Sequence, residues 1–332
     1  MFWVTGATGL VGSHVLLELV KQGHRVRAFY HRQSPDSLKA LFAFKKAEHL
    51  WSQINWQSMD SFDGSLPPVD CEGLFHCAAM VSYHRKDHEQ MHDVNVKGTA
   101  DWMHWALAFD IPVCHVSSIA ALGKALPGEP VDENCFWQPS KDHTEYARTK
   151  FLSEMEVWRA IEEGLKAVIV NPGVVIGPCG AHQSSGKLLA TIARGWNAYP
   201  KGGTGFVSAQ DVAQVMVKLM LAQLWSQRFI VVSDNWTMKM FFQKTAAVMN
   251  IRIPKNEVSS ILLFGLRWMD QCKEWFTGKR AVITAETIRN TDKLTIYSAQ
   301  KVKATLGIEF QQMEETLQET VEYMRPSLPL PS

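Results

Sequence analysis

Tyr146 and Lys150 stand four residues apart in Tyr146-Ala-Arg-Thr-Lys150, inside a stretch at about 143–163 whose pattern predicts a helix. That spacing brings a phenol and an ammonium to one helical face. The positive charge favours the phenolate and lowers the tyrosine pKa from about 10, so the ring can donate or accept a proton near neutral pH. The spacing alone is cheap, because Tyr297-Ser-Ala-Gln-Lys301 repeats it. Context separates the two. Tyr146 follows Ser117 and Ser118, which a predicted strand at 112–117 delivers at its carboxyl end, and it precedes another predicted strand at 166–170. Tyr297 has no such strand behind it. Tyr146 is therefore read as an acid/base and Tyr297 as a structural residue.

The elements that must position this pair begin at the first residues. Phe2 to Thr5 form a short apolar run suited to a buried strand, and Gly6, Gly9 and Gly12 follow at three-residue spacing. From Leu10 the apolar residues fall on a helical stripe that stops at Gly23, and a second strand is predicted at 25–30. In such a βαβ unit the glycines make the tight turn, let the backbone approach a pyrophosphate and point the positive end of the helix dipole at it. The turn, with Thr8, Leu10 and Val11 between and after its glycines, is thus a dinucleotide site. No acidic residue ends the second strand. His31, Arg32, Gln33 and Ser34 stand there instead, and a basic residue suits the 2′-phosphate of NADP where an acid would bind the ribose of NAD. NADP is the expected cofactor and NAD the alternative. Asp60, after a short third strand at 54–57, is placed to accept the adenine amino group. Ala78 and Ala79, at the end of a fourth strand at 73–77, are small enough for a cofactor to lie against the backbone.

At 332 residues, with 34 basic and 33 acidic side chains and no long run of either sign, the chain gives no support for nucleic-acid binding or a polybasic membrane contact. Its six cysteines show no CxxC pair and no zinc spacing, so reduced thiols of a cytoplasmic protein are expected and no metal. The first strand starts at residue 2, leaving no signal peptide to read, and the apolar run at 261–266 is too short to span a bilayer. Most of the twelve tryptophans are expected in the core. The alternation of strands and helices predicts an α/β fold: a Rossmann doubly wound parallel sheet of about seven strands, with a smaller, mostly helical C-terminal substrate lobe. The dinucleotide domain is placed at 1–172, continued by about 206–234. The lobe takes 173–205 and 235–325, and a Pro-rich tail at 326–332 is expected to fray.

Taken together, Thr5-Gly-Ala-Thr-Gly-Leu-Val-Gly12, His76-Cys-Ala-Ala79, Val94-Asn-Val-Lys-Gly-Thr99, Val116-Ser-Ser118, Tyr146-Ala-Arg-Thr-Lys150 and Asn171-Pro-Gly173 resemble the extended short-chain dehydrogenase/reductase family, also called the NAD-dependent epimerase/dehydratase family. The likeness covers nearly the whole chain and is greatest to the dihydroflavonol-reductase-like branch, related to 3β-hydroxysteroid dehydrogenases. It implies that Ser118, Tyr146 and Lys150 form the catalytic set. Ser118 would hydrogen-bond the substrate oxygen, Tyr146 would transfer the proton, and Lys150 would bind the nicotinamide ribose, hydride passing directly between cofactor and substrate carbon. It further implies that Pro172, Val174 and Val175 line the carboxamide side of the ring and that Asn95 supports the site from its helix. Two departures narrow the branch. Ser118-Ile119-Ala120 stands where sugar-nucleotide dehydratases have Thr-Asp-Glu, and Leu122-Gly123 where many epimerases have Tyr-Gly. The expected activity is reduction of a fairly apolar ketone or oxidation of a secondary alcohol, with Trp137, Tyr83, Trp196 and Phe206 as candidate walls. An epimerase that retains NAD, clamping a sugar nucleotide through Lys187, Arg194 and Lys201, is the first alternative; a dinucleotide sensor without turnover is the second. The helices at about 87–109 and 143–163 are the surface through which a homodimer would form.

Overall fold

The computed structural model describes residues 1–62, 70–140, 143–181, 183, 185–258 and 293–329. The chain opens with β1 (Phe2–Thr5), α1 (Leu10–Lys21) and β2 (Val26–Tyr30). After β2 a 3₁₀ turn (Pro35–Leu38) leads into α2 (Lys39–Phe44), and a second 3₁₀ segment (Glu48–Gln53) leads into β3 (Ile54–Ser58). Lys46, with φ +54°, interrupts the run between them. After β4 (Gly73–His76) comes one long helix in three parts, α3 (His88–His92), a π turn (Asp93–Lys97) and α4 (Gly98–Ala108). β5 (Val113–Val116), α5 (Glu145–Glu162) and β6 (Ala167–Pro172) follow.

The chain then alternates between two bodies. β7 (Val174–Ile176), α6 (Gly186–Ala193), β8 (Ala198–Pro200) and β9 (Gly203–Ser208) build outward, and α7 (Ala209–Leu221) and β10 (Gln227–Val231) return to the main sheet. β11 (Asp234–Thr237), α8 (Met238–Val248) and β12 (Asn256–Val258) go out again. α9 (Gln300–Leu306) packs back on β10 and α7, and α10 (Met313–Met324) closes against α8 and β9.

The main sheet has seven parallel strands in the order β10-β6-β5-β4-β1-β2-β3. The order reverses between β1 and β4, the switch point at which doubly wound sheets bind ligands. Where both faces are covered, as at β1 (Phe2–Thr5) and β6 (Ala167–Pro172), the strand reads as a nearly unbroken apolar run. Alternate residues of β1 serve opposite layers: Phe2 and Val4 pack with Val15 and Leu19 of α1 and Val212 and Met216 of α7, whereas Trp3 packs with α4 and α5. That second layer is an aromatic cluster, with Trp3 stacked on Trp105 at 4.8 Å and Phe62 on Trp102 at 5.1 Å. Trp3, Trp102, Trp105 and Trp236 are buried, but Trp51, Trp56, Trp137, Trp158 and Trp225 are only partly buried and Trp196 is exposed, so fewer of the described tryptophans are core than expected.

The lobe differs from its expectation in having sheet as well as helix. β11, β9 and β7 form a three-stranded sheet, and β12 pairs with β8. These strands are short, three to six residues, and rich in glycine and proline at 172–205, so no period-2 pattern develops over enough residues to be seen. Their core is Ile176, Leu189, Phe206, Trp236, Phe241 and Leu317. Phe206, expected on a substrate wall, is fully buried there and stacks on Phe241 at 4.8 Å. Nor does the tail fray at once: residues Arg325–Ser327 form a 3₁₀ turn and Leu328 packs into the same core. Residues 330–332, the apolar run at 261–266, Cys272 and the part of the predicted helical lobe at 259–292 lie outside the described residues. Cys71, Cys77, Cys114, Cys135 and Cys179 are free thiols, and among the described residues no helix is long and apolar enough to cross a membrane.

Candidate active site

The glycine turn joins β1 to α1 at the switch point. Gly6 has φ +61°, and a Cβ there would lie 2.7 Å from the Ala78 backbone. Ala78 thus runs beside the turn, and its N–H donates to Thr5 Oγ1 at 3.3 Å. A Cβ on Gly12 would meet the Gly6 carbonyl oxygen at 2.2 Å. Gly12→Ala is therefore expected to lower the thermal midpoint by several degrees, for a cost of about 1–3 kcal/mol, with no ligand present. A melting curve unchanged from wild type would contradict that packing.

Gly9 caps α1 in an extended conformation with no side-chain hydrogen bond to the helix, and the first turn carries no acidic residue. The N–H groups opening the helix, at Leu10, Val11 and Gly12, therefore meet neither a capping oxygen nor a repelling carboxylate. This arrangement suits a phosphate. Thr8 and Leu10 are buried beside it. At the end of β2, His31 Nδ1 lies 3.2 Å from Asp60 Oδ1, both side chains exposed, so two residues assigned to different parts of a dinucleotide sit side by side. Arg32 is exposed and holds φ +52°. Ser34 Oγ accepts the Asp36 N–H at 3.3 Å and so caps the following turn.

Ser118 ends the β5 loop in an extended conformation, its Oγ accepting the Ala120 N–H at 3.1 Å. The same hydroxyl lies near enough to the Tyr146 phenol to pull its pKa down. Thr144 caps α5 through the Ala147 N–H at 3.0 Å, which fixes where that helix begins and hence where Tyr146 emerges, on its first turn. Lys150, one turn later, is buried and donates to the Val116 carbonyl at 2.8 Å. The three residues assembled from sequence are therefore neighbours.

The electrostatics differ from the expectation. Burial pushes the Tyr146 phenol above its ordinary value, and Tyr83, whose ring centroid is 6.2 Å away, pushes it further; only the neighbouring Ser118 hydroxyl pulls it down. The ammonium that was to lower it is occupied by a carbonyl behind the strand. Burial brings Lys150 itself down to about 8, with Glu154 and Cys77 pulling it back up.

Asn95 sits on the π turn, and its amide closes a ring of bonds: Oδ1 accepts from Met80 N at 2.7 Å, while Nδ2 donates to Met80 O at 2.9 Å and Thr149 Oγ1 at 3.1 Å. It thereby ties the loop carrying Tyr83 to α5. Pro172 lies on β6 opposite Val231, and Val174 and Val175 begin β7, half-buried. Gly173 between them leaves room for Gly205, whose oxygen would be 2.5 Å from a Cβ. Trp137 stacks on His143 at 3.8 Å and on Phe151 at 4.9 Å, and Trp196 is partly exposed. Lys187, Arg194 and Lys201 are exposed. Tyr297 and Lys301 fold as structure: the Tyr297 hydroxyl bonds Thr204, its main chain pairs with Asn235, and Lys301 donates to the Arg228 carbonyl at 3.0 Å.

One group escaped sequence reasoning. Glu154, buried on α5, accepts from Ser117 Oγ at 2.6 Å, Asn171 Nδ2 at 2.8 Å, Arg228 Nη1 at 3.0 Å and Trp158 Nε1 at 3.3 Å. The signal was present, since Glu154 stands four residues beyond Lys150, on the face that carries Tyr146 and Lys150.

A doubly wound sheet with a glycine turn at its switch point, and a serine, tyrosine and lysine gathered at the adjoining strand ends, defines an NAD(P)-dependent Rossmann enzyme of the extended short-chain dehydrogenase type. The chain belongs to the NAD dependent epimerase/dehydratase family, whose sequence profile matches residues 2–231. It is similar to a protein of Synechocystis sp. named "Putative dihydroflavonol 4-reductase", 28% identical over 334 residues, covering 98% of this chain and 94% of that one. Sterol demethylase protein B of Methylococcus capsulatus is 32% identical over 243 residues, 72% of each chain. Among solved structures, the crystal structure of gox2253 superposes with a TM-score of 0.80 at 26% identity, covering 100% of this chain and 99% of the other.

Proposed function

We propose that the chain is an NADP-dependent carbonyl reductase or alcohol dehydrogenase acting on a fairly apolar ketone or secondary alcohol. The observation that carries this reading is the convergence of Ser118 at the end of β5 with Tyr146 on the first turn of α5, with Lys150 buried one turn behind. When bound, the nicotinamide ring supplies or accepts the hydride. The N-terminus of α1, with Gly6, Thr8, Gly9, Leu10, Val11 and Gly12, would hold the pyrophosphate. His31 and Arg32 would take the 2′-phosphate, Asp60 the adenine, Ala78 and Ala79 the adjoining backbone, and Pro172, Val174 and Val175 the carboxamide side. Lys150 would donate to the nicotinamide ribose.

At the reacting centre, Ser118 donates to the substrate oxygen and orients it, and the Tyr146 phenol delivers a proton to that oxygen as the carbonyl becomes an alcohol. A phenol held above its ordinary value keeps its proton throughout the neutral range, which favours the reducing direction. Residues 1–172 with 206–234 bind the dinucleotide in this reading, and 173–205 with 235–325 cover the substrate. Tyr83, with its ring beside Tyr146, and Trp137 form apolar walls. The names dihydroflavonol 4-reductase and sterol demethylase among the relatives support a substrate of that character. Val94 and Met155, exposed on the two long helices, give a homodimer its apolar contact.

Equilibrium binding of NADPH and NADH to wild type and Arg32→Ala tests the reading. NADPH is expected to bind at least tenfold tighter, about 1.4 kcal/mol, and Arg32→Ala to remove that margin. Tighter NADH binding, or NAD that survives purification and dialysis, would favour a cofactor-retaining epimerase, and sugar nucleotides would then be the first substrates to assay.

A further inference from the structure

We propose that Glu154 is a positioning residue that holds Ser118 and Lys150 in register, and that Arg228 couples this register to the loop at 133–136 beside the substrate cleft. The inference rests on the dinucleotide-dependent reading given above. Its basis is a buried carboxylate with every acceptor site used. Oε2 takes Ser117 Oγ and Asn171 Nδ2, and Oε1 takes Arg228 Nη1 and Trp158 Nε1. The Asn171 amide donates at the same time to the Ser118 carbonyl at 3.0 Å. Glu154 therefore fixes the main chain on either side of the Ser118 hydroxyl, through Ser117 and through Asn171, while sharing a helix with Tyr146 and Lys150.

Arg228 extends the network outward. Its Nε and Nη2 donate to the Glu133 carbonyl at 2.9 and 2.6 Å, and Nη2 to the Cys135 carbonyl at 3.3 Å. The Cys135 carbonyl also accepts the Gly123 N–H at 2.9 Å, and a Cβ on Gly123 would lie 2.0 Å from the Phe136 oxygen. The segment after Ser118 and the loop bearing Phe136 and Trp137 are thus laced to one another and to the ion pair. Arg228 is 12% and Glu154 3% exposed, so solvent does not loosen the pair. A buried carboxylate with four donors is held in one orientation, whereas a salt bridge placed only for stability could be replaced by packed apolar groups.

The groups facing Lys150 are Tyr146 and Glu154 on its own helix, His76 and Cys77 at the end of β4, and His115 on β5. Glu154 is first among those that raise the lysine. Removing its charge lowers the pH at which Lys150 loses its proton and its ability to donate three hydrogen bonds.

The experiment compares wild type, Glu154→Gln and the double variant Glu154→Gln/Arg228→Met, the last of which leaves no uncompensated charge and guards against loss of fold. NADPH binding, or NADH where it is tighter, is titrated from pH 6 to 10. The alkaline limb is expected to move to lower pH by about one unit in both variants. Hydrogen exchange at the Gly123 amide is expected to accelerate by about tenfold or more, while the double variant melts close to wild type. A limb that stays at the wild-type pH in both variants, or an unchanged Gly123 exchange rate, overturns the proposal. Wild-type protein that binds neither dinucleotide overturns the cofactor reading, and this inference with it. Wild-type binding with an unmoved limb overturns this inference alone.

Discussion

Tyr146→Phe is expected to lower turnover of a ketone substrate by about 10²–10⁴-fold, the range for losing a positioned proton donor. Cofactor binding should stay within about twofold of wild type, a free-energy change below 0.5 kcal/mol. The ring and its edge-on contact with Tyr83 survive the substitution, and Ser118 keeps its bond to the Ala120 N–H, so the surroundings do not collapse. What disappears is the hydroxyl beside Ser118 that would carry the proton in the proposed reaction. Single-turnover measurement with saturating NADPH separates this from a binding defect. A variant retaining more than a tenth of wild-type turnover would remove Tyr146 from the role of proton donor. Because burial keeps the phenol protonated above the neutral range, the alkaline decline of wild-type reduction should follow Lys150, near 8, before it follows the tyrosine.

Acid should destabilise the fold well before its carboxylates titrate. His14, His76 and His115 are fully enclosed, and burial, the largest influence on each, pulls them to about 4, to about 3 and well below the ordinary histidine value respectively. His76 is hydrogen-bonded on both nitrogens, to Thr5 and Thr99, and stacks on His115 at 5.3 Å. In the unfolded chain each histidine takes up a proton as the pH falls through about 6.5, whereas in the folded chain none does until far lower. The unfolded state then binds more protons, so stability is full above about 6.5 and falls as the pH drops toward the folded-state values. Across three sites the loss between pH 7 and 5.5 is about 4 kcal/mol. Urea unfolding at the two pH values measures it directly. Equal midpoints would mean that these histidines ionise inside the fold.

The half built around the glycine turn was legible because its signals are local and periodic. The three glycines fall at the junction of a strand and a helical stripe, and the structure gives Gly6 and Gly12 a steric reason that no other residue meets. Tyr146 and Lys150 were legible by their spacing and chain order, since a helix that follows a serine-bearing strand end in a parallel sheet starts beside it, and Ser118 by the family resemblance. The lobe was not. β7, β9 and β11 are too short for periodicity to show, and their pairing is set by contacts between segments far apart, such as Asp234 opposite Phe206. Phe206 looked like a wall residue because its burial depends on Phe241, which no spacing connects to it. Arg228 was hidden for the same reason: its partner lies 74 residues earlier, on another element. The tyrosine's electrostatics were missed because same-face spacing says nothing of the Val116 carbonyl that claims Lys150.

The wide turn in the helix between β4 and β5 fixes more than the place of Asn95. Buried residues recur there every fourth position, at Asp87, Met91, Asn95, Thr99 and Met103. On an ideal α-helix such a series drifts sideways by about 40° at each step, because four residues exceed one turn of 3.6. The π turn at Asp93–Lys97 takes up that drift and keeps the row facing inward. The helix therefore tolerates exchange of side chains far better than any change in length. Losing one residue from the turn would rotate everything before it by about 100° against the aromatic layer behind it. Asn95 would swing off Met80, and the strand-end loop with Tyr83 would be released from α5. In descendants of this chain, single-residue insertions and deletions should accumulate in the surface connections and spare these five positions.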